Sequence, residues 1–147
     1  MKVNTPSFNA ADLFEVKVSR TLVPDDGLRV HYEFSYTVQP RPTPNEFVNR
    51  FAELVCRYGK CSAGTYAAQL GVTERQLKAA LPAISGFGIQ RWTDAYCLAI
   101  GEALLRETNW PTRQVAKATR LASTSSFCHF FRKMTGESPF YWRLRNQ

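Results

Sequence analysis

The sequence predicts a mainly α-helical fold: two helix-turn-helix subdomains joined by a linker helix and preceded by an N-terminal β-hairpin. Three observations predict it. Apolar residues alternate one by one up to about residue 38, the period of a half-covered strand, and recur every three to four residues from residue 44 on, the period of a helix. The change of period falls at Pro40-Arg41-Pro42-Thr43-Pro44, a stiff and extended stretch. Beyond it, a short helix, a tight connection and a capped second helix occur twice.

The elements follow in order. Residues 13–23 alternate and are rich in β-branched side chains, with Phe14, Val16 and Val18 on one face. Pro24-Asp25-Asp26-Gly27 is a turn, Pro opening it and Gly tolerating positive φ. Residues 28–38 alternate again, with Leu28, Val30, Tyr32, Phe34, Tyr36 and Val38 in step. A lone hairpin is marginal in water, so its apolar face is expected to pack on the helices or against the same hairpin of a second copy. Residues 1–40 are therefore a β-hairpin extension, 41–43 a linker and 44–147 a helical domain.

In that domain Thr43 is placed to cap the first helix, with Pro44 at its first position and Glu46 closing a capping box. Phe47, Phe51, Leu54, Val55 and Tyr58 make its apolar face, and Gly59 ends it. A short helix at 63–70 stops at Leu70-Gly71-Val72; Thr73, with Gln76, caps a second that runs to Pro82 and the Gly86-Phe87-Gly88 break. These form a helix-turn-helix at about 63–83. A linker helix fits about 89–107, with Ile89, Trp92, Tyr96, Ala99, Ala103 and Leu104 along one side. The second helix-turn-helix, about 111–134, joins a helix opening at Pro111 to one capped by Ser123 or Thr124, with Phe127, Phe130 and Phe131 as its apolar side. Gly136 ends it, and Ser138-Pro139 starts a last short helix carrying Tyr141 and Trp142.

The chain of 147 residues is 44% apolar and 21% charged, ordinary for a globular protein and large enough to fold without staples. It has no run of 18 apolar residues and no basic-then-apolar start, so neither a membrane span nor a secretory signal is expected. Cys56, Cys61, Cys97 and Cys128 lack Cys-x-x-Cys spacing and His31 and His129 lie far apart, so no zinc site or other cofactor is expected. Thiols without an export signal suggest a reducing cytoplasm. Scattered carboxylates and two distant histidines offer no nucleophile–base pair and no phosphate-cradling loop, so the protein is not expected to be an enzyme.

Net charge is +7, and its distribution is uneven. Residues 1–45 hold five Lys/Arg and five Asp/Glu, and residues 46–105 six against five, whereas residues 106–147 hold eight against two. The last 42 residues thus carry +6, which suits a polyanion. An outward helix with cationic or small polar side chains fits the DNA major groove and reads base edges there.

Residues from about 63 to 143 resemble the DNA-binding domain of AraC/XylS-type transcription regulators. The first half carries Ala67-x-x-Leu70-Gly71-Val72-Thr73-x-x-x-Leu77-x-x-x-Leu81, then Gly86, Trp92 and Leu104-Leu105. The second carries Val115-Ala116, then Phe127-x-x-x-Phe131-Arg132-x-x-x-Gly136-x-Ser138-Pro139-x-x-Trp142-Arg143. The resemblance implies a bacterial regulator whose two recognition helices enter successive major-groove segments of double-stranded DNA, about 34 Å apart. Its DNA-facing positions map onto Glu74, Arg75, Lys78 and Ala79, and onto Thr124, Ser125, Cys128, His129 and Arg132. Arg75 and Lys78 suit guanine O6 and N7. Arg132 and Lys133 suit phosphates, and Ser123, Thr124 and Ser125 add hydroxyl and helix N-terminal donors. Phe127, Phe130, Phe131, Trp92, Trp110 and Trp142 read as core.

The sequence departs from the family at Arg120-Leu121, where Gly-Phe is usual, at Cys97 for Arg, at Gly101 for Ala and at Thr112 for Ile. A diverged fold with weak DNA binding would instead serve as a protein-interaction module, and a non-specific nucleic-acid binder would show a steep salt slope without sequence preference. The hairpin is too short to enclose a sensor pocket, so no small-molecule effector is expected, while a homodimer through the hairpin remains compatible with its apolar face.

Overall fold

A computed structural model describes residues 9–27 and 29–147. Leu28, counted above in the second strand's apolar row, lies outside the described residues, as do residues 1–8 of the predicted extension. The fold is mainly helical, with an N-terminal antiparallel hairpin of β1 (Phe14–Pro24) and β2 (Val30–Pro40) ahead of seven helices. These are α1 (Glu46–Tyr58), α2 (Ala63–Leu70), α3 (Glu74–Ser85), α4 (Ile89–Glu107), α5 (Thr112–Thr119), α6 (Thr124–Thr135) and α7 (Pro139–Asn146). No helix among the described residues is long and apolar enough to cross a membrane. No disulfide joins the four cysteines.

The chain forms two compact units. The first gathers the segment up to Glu15 with Pro40–Ala99; the second gathers Val16–Gln39 with Ile100–Gln147.

In the first unit, Phe14 meets Trp92 and Tyr96 edge-on, with ring centroids 5.9 and 5.7 Å apart, and Phe51 meets Tyr66 and Trp92 at 5.1 and 5.9 Å. Helix α1 buries Val48, Phe51, Ala52 and Val55, an i, i+3, i+4, i+7 stripe. The expected stripe was turned differently: Phe47 and Leu54 are half-buried and Tyr58 is exposed. The start of α1 also differs. Asn45 is its N-cap, its Oδ1 accepting from the Val48 amide at 3.0 Å. Thr43 donates its hydroxyl to the Asn49 Oδ1 at 2.8 Å instead, and Pro44 precedes the helix. Asn caps at least as well as Thr, and this start keeps the Thr43–Asn49 pair satisfied.

The Tyr66 hydroxyl, fully buried, donates to the Gly59 carbonyl and accepts from the Cys61 amide. Burial, reinforced by Cys61, pushes this phenol well above its ordinary range.

In the second unit, Phe127, Phe131 and Trp142 stack tilted or edge-on at 5.6 and 5.4 Å, with Phe127 and Phe131 over Gly101 of α4, where Ile100, Leu104 and Leu105 are also buried. Each fully buried Phe contributes roughly 1.5–3 kcal/mol. The hairpin lays Tyr36 against Trp110 at 6.1 Å, which covers its middle. The bond from the Asp25 amide to the Arg29 carbonyl sets the register, placing Leu22 opposite Tyr32. Towards the tip the apolar row stays open: Leu22, Val30 and Tyr32 are about half exposed, with the Arg20 guanidinium 4.7 Å above the Tyr32 ring.

Candidate nucleic-acid interface

The first helix-turn-helix is α2, its turn and α3. Gly71 closes α2 in the left-handed region at φ 72, its amide and that of Val72 satisfying the Ala68 and Ala67 carbonyls. Thr73 then caps α3 through a complete capping box: its Oγ1 accepts from the Gln76 amide at 3.0 Å, and the Gln76 Oε1 accepts from the Thr73 amide at 2.8 Å. Leu77 and Leu81 are fully buried, so the opposite face of α3 is exposed. That face carries Arg75, Lys78, Ala79 and Pro82. Glu74, Arg75, Lys78 and Ala79 border one open depression, so the structure brings together the four residues picked from sequence. The Glu74 carboxylate sits 3.0 Å from the Lys78 ammonium, both side chains more than half exposed. Lys78 therefore meets a ligand already paired, which leaves Arg75 as the stronger donor of the two.

Helix α3 continues past Pro82 to Ser85, further than expected, before Gly86 ends it at φ 84. Pro82 lies on the exposed side, as does Lys78, whose carbonyl the missing amide would have bonded.

The second helix-turn-helix is α5, its turn and α6. Arg120 takes the left-handed position that Gly71 holds in the first, at φ 63 and ψ 18. Ser123 is the cap of α6: its Oγ accepts from the Ser126 amide at 3.0 Å, which commits that hydroxyl to the helix itself. Phe127 and Phe131 are fully buried, and Ser125, His129, Arg132 and Lys133 are exposed at i, i+4, i+7 and i+8 on the side away from them. Thr124 is exposed in the first turn, while Cys128 is half-buried at the edge of the face. Ser126, exposed in the same turn, was not singled out from sequence, although it stands in the same hydroxyl run. Arg132 also borders a depression with Gly136, Glu137, Ser138 and Tyr141.

Not all the C-terminal charge is available to a polyanion. Arg143 donates to the Leu105 carbonyl at 2.8 Å and to those of Leu104 and Thr108 at 3.4 Å, holding the C-terminal end of α4. Desolvation lowers its pKa from the usual guanidinium value. Arg145 pairs with Glu137 at 2.7 Å. Sequence reasoning missed the role of Arg143, because its partner Leu105 lies 38 positions away. Cys97, at a family arginine position, is buried, and burial pushes its thiol up to about 12 although Lys60 pulls it down.

The helix-turn-helix fold is shared with known proteins. A model of the helix-turn-helix domain matches residues 66–145. No curated protein matches the chain in sequence. A DNA-binding transcriptional dual regulator from Escherichia coli K-12 superposes with a TM-score of 0.62 at 16% identity, covering 72% of this chain and 96% of that one. The DNA-binding domain of the global transcriptional factor AdpA, in complex with a target DNA, gives 0.59 at 20% identity, covering 68% and 88%. The transcriptional regulator CdpR from Pseudomonas aeruginosa gives 0.59 at 29% identity, covering 69% of this chain and 32% of that longer one. With the family match spanning more than half of its residues, the chain belongs to the AraC-type helix-turn-helix family of DNA-binding transcription regulators.

Proposed function

We propose that the protein is a sequence-specific regulator that inserts two recognition helices, α3 and α6, into successive major-groove segments of double-stranded DNA. One observation carries the reading. In both helix-turn-helix units the second helix buries a pair of apolar residues, Leu77 with Leu81 and Phe127 with Phe131, and turns a polar, cationic face outward. A similar fold, that of the AdpA domain, was solved with its target DNA. Residues 44–147 are the DNA-binding domain in this reading and the hairpin its extension.

Counterion release at Arg132 and Lys133 draws the protein to phosphates without reading sequence. The N-terminal amides of α6, with Thr124 and Ser125, add neutral donors for a phosphate or base edge. Arg75 donates two guanidinium N–H groups to O6 and N7 of one guanine; Lys78 reaches a second acceptor when Glu74 releases it; Ala79 packs on a thymine methyl. Cys128 and His129, on α6, border the second groove segment. The exposed hairpin tip of Leu22, Val30 and Tyr32 serves pairing between two copies, and Leu22→Lys is expected to return a dimer to monomer in sedimentation velocity.

Fluorescence anisotropy against a randomised duplex pool at several salt concentrations tests the reading. The expected result is a selected site bound about 1,000-fold above bulk DNA. Equal affinity for all sequences with a steep salt slope would point to non-specific binding instead.

A further inference from the structure

The first unit contains a half-open pocket of about 430 Å³ bordered by Leu13, Pro44, Val48, Ile84 and Trp92. We propose that it is a binding site for a small, neutral, largely apolar molecule of one or two rings. The volume lies inside the range of about 300–1,000 Å³ over which proteins bind small ligands. Its walls are held in place by bonds of their own. Trp92 is 1% exposed, wedged edge-on between Phe14 and Phe51, with its Nε1 donating to the Ser85 Oγ at 3.1 Å. Val48 is 2% exposed and tied by its amide to the Asn45 cap. These contacts fix Trp92 and Val48 as the floor of the pocket.

The lining also defines the ligand's chemistry. Among the described residues, no ionisable side chain borders the pocket. Several of its polar groups already have partners: the Asn45 Oδ1 accepts from Val48, Thr43 donates to Asn49, and Ser85 donates to Leu81 and accepts from Trp92. A charged ligand would lose its water there and gain no counter-charge. A neutral ring gains burial against the apolar lining of Leu13, Pro44 and Ile84. The expectation of no effector rested on the hairpin being too short to enclose a pocket. This cavity is assembled instead from residues 13, 43–48, 84–85 and 92, which only the folded chain brings together. Occupancy requires no DNA, so this site and the DNA reading stand or fall separately.

The test is a titration of the full ¹⁵N-labelled chain with p-cresol, following the indole N–H signals of Trp92, Trp110 and Trp142. The expected result is a saturable shift of the Trp92 signal, with the other two unmoved. The charged analogue 4-methylbenzoate should bind at least tenfold more weakly. Ile84→Asp should weaken p-cresol at least tenfold with circular dichroism unchanged, because Ile84 is 47% exposed and its loss leaves the core intact. The proposal is overturned by a Trp92 signal that does not saturate, by equal shifts of all three indoles, by equal affinity for 4-methylbenzoate, or by an unaffected Ile84→Asp variant. Binding seen only after removal of residues 1–8 would assign the cavity to the chain's own start and overturn it equally.

Discussion

Arg120 holds a backbone conformation, φ 63, that costs an L-residue about 1–2 kcal/mol. Arg120→Gly removes that strain and gives back part of it as extra freedom of the unfolded chain, roughly 0.5–1 kcal/mol. The variant is expected to be more stable by about 0.5–1 kcal/mol in urea denaturation. Gly101 behaves in the opposite way. A Cβ there would stand 3.0 Å from the Phe127 Cε1 and 3.2 Å from its Cζ. Phe127 is fully buried against Phe131, so its ring has little room to retreat. Overpacking at about 1–3 kcal/mol exceeds the helix gain of about 1 kcal/mol, and Gly101→Ala should lower stability. An increase would mean that α6 slides freely on α4. Glu102 sets a pH dependence. Burial raises its pKa, with Arg106 pulling it down. A carboxyl that binds its proton more tightly when folded favours the fold below its unfolded value of about 4.3, and the benefit is lost as pH rises through the folded value. Glu102→Gln should therefore raise the melting temperature at pH 7, the gain shrinking towards pH 4. A gain independent of pH would remove the carboxylate as its cause. In DNA binding, Arg75→Ala should cost about 1–3 kcal/mol and relax preference at one base pair.

Single elements were legible in the sequence where short-range chemistry decides them. The capping box of Thr73 and Gln76 and the left-handed Gly71 and Gly136 depend on neighbours within a turn, and all stand where the pattern placed them. Thr73→Ala should cost about 1 kcal/mol and fray the start of α3, measured as faster amide exchange at Arg75 and Gln76. The start of α1 was harder, because Thr43 and Asn45 both cap well and the choice turned on Asn49, which offers Thr43 a better partner. The orientation of α1 was also hidden: Phe47, Val48, Phe51 and Leu54 are all apolar, and Trp92 and Tyr66 decide which of them are covered. Helix α3 outran Pro82 because the missing amide falls on its wet side.

At the scale of the whole molecule, charge has two destinations. Of the eight cations in residues 106–147, Arg143 serves the end of α4 and Arg145 pairs with Glu137, whereas Arg132 and Lys133 stand exposed on α6. Replacing Arg132 and Lys133 together by Ala should reduce the salt slope of DNA binding by about 2, and Arg145→Ala should leave it nearly unchanged. A slope insensitive to the α6 pair would move the phosphate contacts elsewhere. The order of strand and helix, the two helix-turn-helix motifs and most outward residues of α3 and α6 were readable in one dimension, since period, caps and turn residues act over a few positions; Ser126 was missed and Cys128 is half-buried. Three features needed the folded chain: the Arg143 anchor, the Glu102 environment and the cavity beneath Trp92. Each joins side chains that lie apart in sequence or depends on how deeply its neighbours are buried, and burial is a property of packing that no local pattern encodes.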